Sequence, residues 1–359
     1  MQIINNYRIE LEEAVEKLRE INASKLLVQS PLGLRAVAAL VAEQLKKRGY
    51  DVILSSSNCW GGCDIAHTEA KHLNVEAIIH LGHSRFINQE QVPTIYLECR
   101  YADPSPVYAL LEKVAEALKG FSKVGIGASV QWLDYVPLVK ENLEHVGVKA
   151  FTAKPDMFSQ YDSQVLGCDV SALKRLEEKV DSFIVLGSVF HALGMAVSTR
   201  KPVYAADPHT QTVKNLDKMR ENILRQRYAQ ITRFRQSNSI GVLVSIKPGQ
   251  KRLGLAKRIN QILNTHGKNS TIVSADEITP STILENRFEA FVNTACPRLS
   301  IEDQAQFAKP VLLPVETLVG LDLIDWSEVV EHGFLMYPWG WHNQEVGERF
   351  WRKMRLAQV

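Results

Sequence analysis

The chain has 359 residues, 45% hydrophobic and 23% charged, with 42 basic and 40 acidic side chains and a net charge of +2. Such a length exceeds one ordinary core and implies two or three domains of a globular protein. The near-balanced charge argues against broad non-specific nucleic-acid binding, and no apolar run reaches the roughly 18–20 residues that cross a bilayer. The opening MQIINNYRIELEEAVEKLRE is a polar helical pattern rather than a signal peptide. A cytoplasmic protein is therefore expected, in a compartment where lasting disulfides are rare.

In chain order, SKLLVQSPLGLRAVAALVAEQLKKRGYDVILSS (24–56) reads as strand, turn, amphipathic helix and strand, with Gly49 ending the helix. NCWGGCD (58–64), a helical IAHTEAKHLN and an apolar AIIHLG follow. The order recurs in SKVGIGASVQWLDYVPLVKENLEHVGVKAFTA (122–153), then in VLGCDVSALKRLEEKVDSFIVLGS. It appears a third time in SIGVLVSIKPGQKRLGLAKRINQILNTHGKNSTIVSA (239–275), followed by FEAFVNTACPRLSIEDQAQFAKPVLLPVE. Short apolar runs alternating with helices predict β-α-β units. The fold class expected is α/β, with three similar parallel-sheet domains around a pseudo-threefold axis, at 1–103, 104–213 and 214–359.

Five cysteines, an odd number spread along the chain, make no disulfide framework. Cys63 in GGCD, Cys168 in LGCD and Cys296 in TACP hold comparable places in the three passes. Each stands just before a predicted helix, at the carboxyl edge where open α/β sheets bind ligands. Three facing domains would bring the three sulfurs to one point, and the C-x-x-x-C spacing of Cys59 and Cys63 would be incidental. Three thiolates favour zinc or an iron–sulfur cluster. Structural zinc takes four ligands, commonly in C-x₂-C pairs absent here. A [4Fe–4S] cluster held by three cysteines leaves one iron open. Helix N-termini beside Cys63 and Cys168 would favour their thiolates. Taken singly, each cysteine is more often a buried small hydrophobe than a ligand, the reading adopted for Cys59 and Cys99; the repeat register moves the other three toward ligation.

VSIKPGQ (244–250) lacks P-loop spacing. A strand-to-helix turn with glycine and lysine could hold an anion such as a carboxylate, or be an ordinary tight turn. His83, Ser84, Ser188, His191 and Asp207 end apolar strands and could line a pocket or simply hydrogen-bond within the fold. The arginines of RENILRQRYAQITRFR (220–235) suggest a solvated helix face first and an acidic partner's docking surface second. The aromatic segment GFLMYPWGWHNQEVGERFW (333–351) fits core covering, an interface or partner binding equally.

GGCD, VLGCD and TACPR resemble the three cluster-binding motifs of the archaeal diphthamide-biosynthesis family of 2-(3-amino-3-carboxypropyl)histidine synthases. LGHS, GSVFHALG, STRKP, ADP and VSIKPGQ resemble other parts of that family in the same order, over about residues 20 to 320. The resemblance implies a homodimer of three-domain subunits, each with a [4Fe–4S] cluster on Cys63, Cys168 and Cys296. It implies S-adenosylmethionine as substrate, with Lys247, Gly249 and Gln250 as candidate contacts, and an external electron donor. The implied chemistry is radical transfer of the 3-amino-3-carboxypropyl group to carbon 2 of a histidine on translation elongation factor 2. A quinolinate-synthase-like dehydratase using an open iron as Lewis acid is the alternative, and a non-catalytic three-domain scaffold is the rival of another class.

Overall fold

The computed structural model describes residues 2–88 and 90–336. The aromatic segment beyond Met336 lies outside the described residues. Three sheets of parallel strands carry the fold, arranged around a pseudo-threefold axis. From edge to edge the first runs Asp51–Leu54, Lys25–Gln29, Ala77–Leu81, Thr94–Leu97. The third runs Asn269–Ala275, Ser239–Ser245, Ala290–Asn293, Val311–Leu312. The second runs Lys149–Phe151, Lys123–Ala128, Ser182–Leu186, Val203–Asp207, and adds Thr212–Asn215 antiparallel at its edge. Numbered along the chain within each unit, the four parallel strands take the order 2-1-3-4 in all three. AIIHL, SFIVL and AFVN are buried throughout, as central strands covered by helices on both faces must be.

Two local devices repeat with the topology. The helices Arg35–Lys47, Val136–His145 and Leu253–Thr265 are followed by Gly49, Gly147 and Gly267 at φ +92°, +82° and +77°. Glycine reaches this left-handed conformation without a Cβ penalty, which turns the chain back into the second strand. At the amino edge, the acid preceding each third strand accepts backbone N–H bonds from the start of each first strand. Glu76 accepts from Ser24 and from Lys25 (3.0 Å), Asp181 from Ser122 and Lys123 (2.8 Å), and Glu289 from Asn238 and Ser239 (3.1 Å).

Three expectations change. The opening segment is not wholly helical: Gln2–Ile4 and Tyr7–Ile9 form a hairpin, joined to Arg100–Tyr101, before the helix Leu11–Glu20. Asn5 and Asn6 at φ +48° and +70° supply the two left-handed residues a tight hairpin turn requires. Cys296 is not topologically equivalent to Cys63 and Cys168. It follows its unit's third strand, Ala290–Asn293, whereas they follow their second strands.

The arginine-rich helix Asp217–Arg235 is not a purely solvated face either. Arg227 is fully buried, paired with Glu316 at 2.6 Å and donating to the carbonyls of Ser300 (2.6 Å) and Val311 (2.8 Å). Its neighbours Ile223, Ile231 and Phe234 enter the third unit's core, so the helix turns this arginine inward with them. No described helix is long and apolar enough to cross a membrane.

Candidate active site

In an open sheet of order 2-1-3-4, the chain leaves strands 1 and 3 in opposite directions, and the crevice between their carboxyl ends is where ligands settle. Each unit turns that crevice toward one shared cavity of about 590 Å³. The first unit contributes Pro31 and Leu34 after strand 1 and His83 and Ser84 after strand 3. The second contributes Ser129 and Gln131, then Phe190 and His191. The third contributes Lys247 and Gln250, then Cys296 and Arg298. Cys63 and Cys168 also line the cavity, so one cysteine from each unit reaches it. The different strand that precedes Cys296 does not matter, because all these turns leave the same sheet edge.

The three thiols are in electrostatic contact. Burial raises Cys168 well above its ordinary value, and repulsion from Cys63 and Cys296 adds to it. Burial, then Cys63, pushes Cys296 up to about 12. Cys63 is likewise raised by burial, opposed by a hydrogen bond from Gln250. The expected thiolate stabilisation by helix N-termini is therefore overruled. The helices His67–His72 and Ser171–Lys174 are six and four residues long, and desolvation outweighs so weak a dipole. Such thiols ionise when a cation replaces the proton. Arg252, unnoticed in the sequence, is a nearby, partly buried positive charge. It donates to Ala295 O at 3.2 Å and interacts with all three sulfurs.

The turn VSIKPGQ lines the cavity through Lys247 and Gln250 and also meets the Cys63 loop. Gly249 N–H donates to Cys63 O at 2.8 Å, and Gln250 Nε2 lies 3.4 Å from Cys63 Sγ. A Cβ on Gly249 would stand 2.5 Å from Cys63 Cα, so only glycine fits. Lys247 Nζ is held between Asp64 and Glu277, each at 2.7 Å. Burial disfavours its charge, but the hydrogen bonds and charges of these carboxylates prevail and its pKa is raised. Its ammonium is thus engaged by two acids, and its contribution here is to tie the first unit to the third.

The remaining sequence candidates separate by location. Ser84 accepts a 2.6 Å hydrogen bond from Gln164, tying the first unit to the second beside the cavity. Ser188 bonds His191 Nδ1 at 3.1 Å. Asp207 instead accepts from His209 N–H and closes a turn away from the lining. Cys99 is buried, with Sγ 3.3 Å from Leu97 O. Cys59 is buried too, but it lies with His80 and His83 in a group whose donor atoms are all within 4.8 Å. That assembly was not legible, since it joins a loop to a strand end through a histidine inside the strand.

The family model described as "Putative diphthamide synthesis protein" matches residues 30–331. The chain is 37% identical over 318 residues to the 2-(3-amino-3-carboxypropyl)histidine synthase of Pyrococcus horikoshii, covering 88% of this chain and 91% of that protein. It is 25% identical to the enzyme of the same name from Methanocaldococcus jannaschii, over 86% of this chain and 88% of that one. The crystal structure of Dph2 from Pyrococcus horikoshii with 4Fe-4S cluster superimposes with a TM-score of 0.82 at 34% identity, covering 94% and 96% of the two chains. Sequence and fold agree over nearly the whole length: the chain belongs to the diphthamide synthesis protein family.

Proposed function

We propose that this chain transfers the 3-amino-3-carboxypropyl group of S-adenosylmethionine to carbon 2 of a histidine imidazole on translation elongation factor 2, the first step of diphthamide biosynthesis. The observation that carries this reading is the meeting of Cys63, Cys168 and Cys296 at one cavity, in a chain whose archaeal relative is crystallised with a 4Fe-4S cluster. These three cysteines are the proposed ligands. The donor set fits: three soft sulfurs, a partly buried guanidinium to offset the anionic charge, and glycines where side chains would intrude. A Cβ at Gly61 would lie 3.3 Å from Cys63 Sγ.

When bound, a cluster with one iron free of protein sulfur supplies an electron to the sulfonium, so that methylthioadenosine leaves and a carbon radical is released toward the imidazole. The protein's own residues orient and enclose. Gly249 and Gln250 hold Cys63 in place, the Asp64–Lys247–Glu277 network closes the seam beside it, and Phe190 stacks under Arg298 at 3.9 Å in the cavity lining. The three domains are assigned to 1–103, 104–213 and 214–359. The enzyme acts in the cytoplasm as a homodimer fed by an external reductant, and the dehydratase reading is not favoured by its relatives' names.

The test is anaerobic incubation with dithionite, S-adenosylmethionine and elongation factor 2, read by methylthioadenosine release and mass spectrometry of the target histidine. Cys63→Ala, Cys168→Ala and Cys296→Ala should each lose iron and activity, whereas Cys59→Ala and Cys99→Ala keep both. Equal loss in all five variants, or no methylthioadenosine, refutes the assignment.

A further inference from the structure

A chain of hydrogen bonds runs from the first unit's interior to the cavity wall, and it fixes the protonation of its last member. Gln29 is oriented by two backbone partners: its Nε2 donates to Asp64 O at 2.8 Å, and its Oε1 accepts from Ala66 N–H at 3.1 Å. That oxygen also faces His80 Nδ1 at 3.0 Å, so His80 Nδ1 must carry a proton and donate. His80 is wholly buried inside its strand, and burial keeps it neutral. Its Nε2 is therefore a bare lone pair, and it faces His83 Nδ1 at 3.0 Å. His83 Nδ1 must then be the donor. His83 is also held neutral, by burial first and by His191 second. Its Nε2 is left as an unprotonated acceptor on a residue that lines the cavity. The other titratable groups acting on it or near it are His191 and Cys59, whose thiol burial pushes up to about 12. Neither supplies a competing positive charge.

We infer that His83 Nε2 is the base that takes the proton from carbon 2 of the substrate imidazole. The inference rests on the proposed function, whose chemistry requires one. Addition of the carbon radical forms the new C–C bond at a carbon that still bears hydrogen, leaving a ring radical. Loss of one electron to the iron–sulfur oxidant that S-adenosylmethionine cleavage would leave turns that radical into a cationic ring, whose carbon-2 hydrogen is acidic. His83 Nε2 accepts that hydrogen as a proton, and the C–H electron pair stays in the ring and restores its aromaticity. Across the whole sequence the electron is returned, and one proton is released. Gln29 and His80 are positioning residues: they hold the tautomer that leaves a lone pair, rather than an N–H, on Nε2 of this cavity-lining ring.

The experiment compares His83→Gln with the parent enzyme in the anaerobic assay and measures modified histidine per methylthioadenosine released. That ratio should fall at least tenfold, whatever the absolute cleavage rate, since a positioned base contributes roughly 10²–10⁴-fold. Added imidazole should restore part of it in His83→Ala. An unchanged ratio overturns the inference. Independently of any variant, ¹⁵N NMR of the histidine-labelled parent chain should find His83 protonated at Nδ1, and a proton on Nε2 also overturns it. Failure of the parent enzyme to modify histidine at all would instead sink the proposed function, while the NMR result would stand.

Discussion

The Cys63 and Cys296 turns deliver the same chemical group to one cavity by opposite means. Cys296 is braced from within its own unit. Asn293 Nδ2 donates to Cys296 O at 2.7 Å, and the helix that follows is anchored through Ser300 O by the buried Arg227. Cys63 is braced across a seam, by Gly249 and Gln250 of the third unit and by the Lys247–Asp64 pair. The lesson is that one site can contain both a turn set by the local fold and a turn whose bracing is completed only when two units dock. Damage to the first kind should unfold a unit, and damage to the second should spoil the site while leaving the units folded.

The largest effect is expected at the internal brace. Arg227→Met leaves Glu316 buried and unpaired and should cost about 3–5 kcal/mol of stability, read by denaturant unfolding. Replacing both partners with apolar residues should recover much of that loss. At the seam, Gly249→Ala places a methyl against the Cys63 backbone. It should cost about 1–3 kcal/mol by overpacking and reduce bound iron far more than Arg227→Met does per unit of stability lost. Equal iron loss per unit of stability lost in the two variants would remove the distinction.

A smaller effect concerns pH and the cavity wall. Burial lowers His191 to about 4 from its ordinary 6.5, with Arg298 as the second cause. The unfolded chain therefore binds a proton that the folded chain does not. The stabilising contribution is present above about pH 6.5 and is lost as pH falls toward 4. In cluster-free protein this should amount to the order of 2 kcal/mol, and His191→Gln should flatten that part of the stability–pH curve. The smallest effect is the control. Lys154→Ala breaks an exposed pair with Asp162 and should change stability by less than about 0.5 kcal/mol, with iron unchanged.

The fold was largely legible because central parallel strands are short apolar runs and each first helix stops at a glycine. Both signals survive without knowledge of tertiary contacts. The three cysteines stood out for the same reason, although Cys296 lies further from its opening serine than the other two do from theirs. That lengthening marked its different strand. Less visible were groups whose role depends on a distant partner. Arg227 sits among solvated arginines and differs only in its helical face. Lys247 reads as an anion-binding lysine, and its pairing with Asp64 and Glu277 shows only in three dimensions. His80 looks like a strand residue until Gln29 and His83 frame it. The two asparagines of the opening hairpin carried a turn signal that the polar pattern around them obscured.

The seam at Gly249 ties assembly of the site to completion of the polypeptide. A nascent chain that has made its first two sheets already presents Cys63 and Cys168, but it lacks both the third sulfur and the turn that steadies the first. On the proposed ligand set, a complete metal site would exist only once the last sheet has docked.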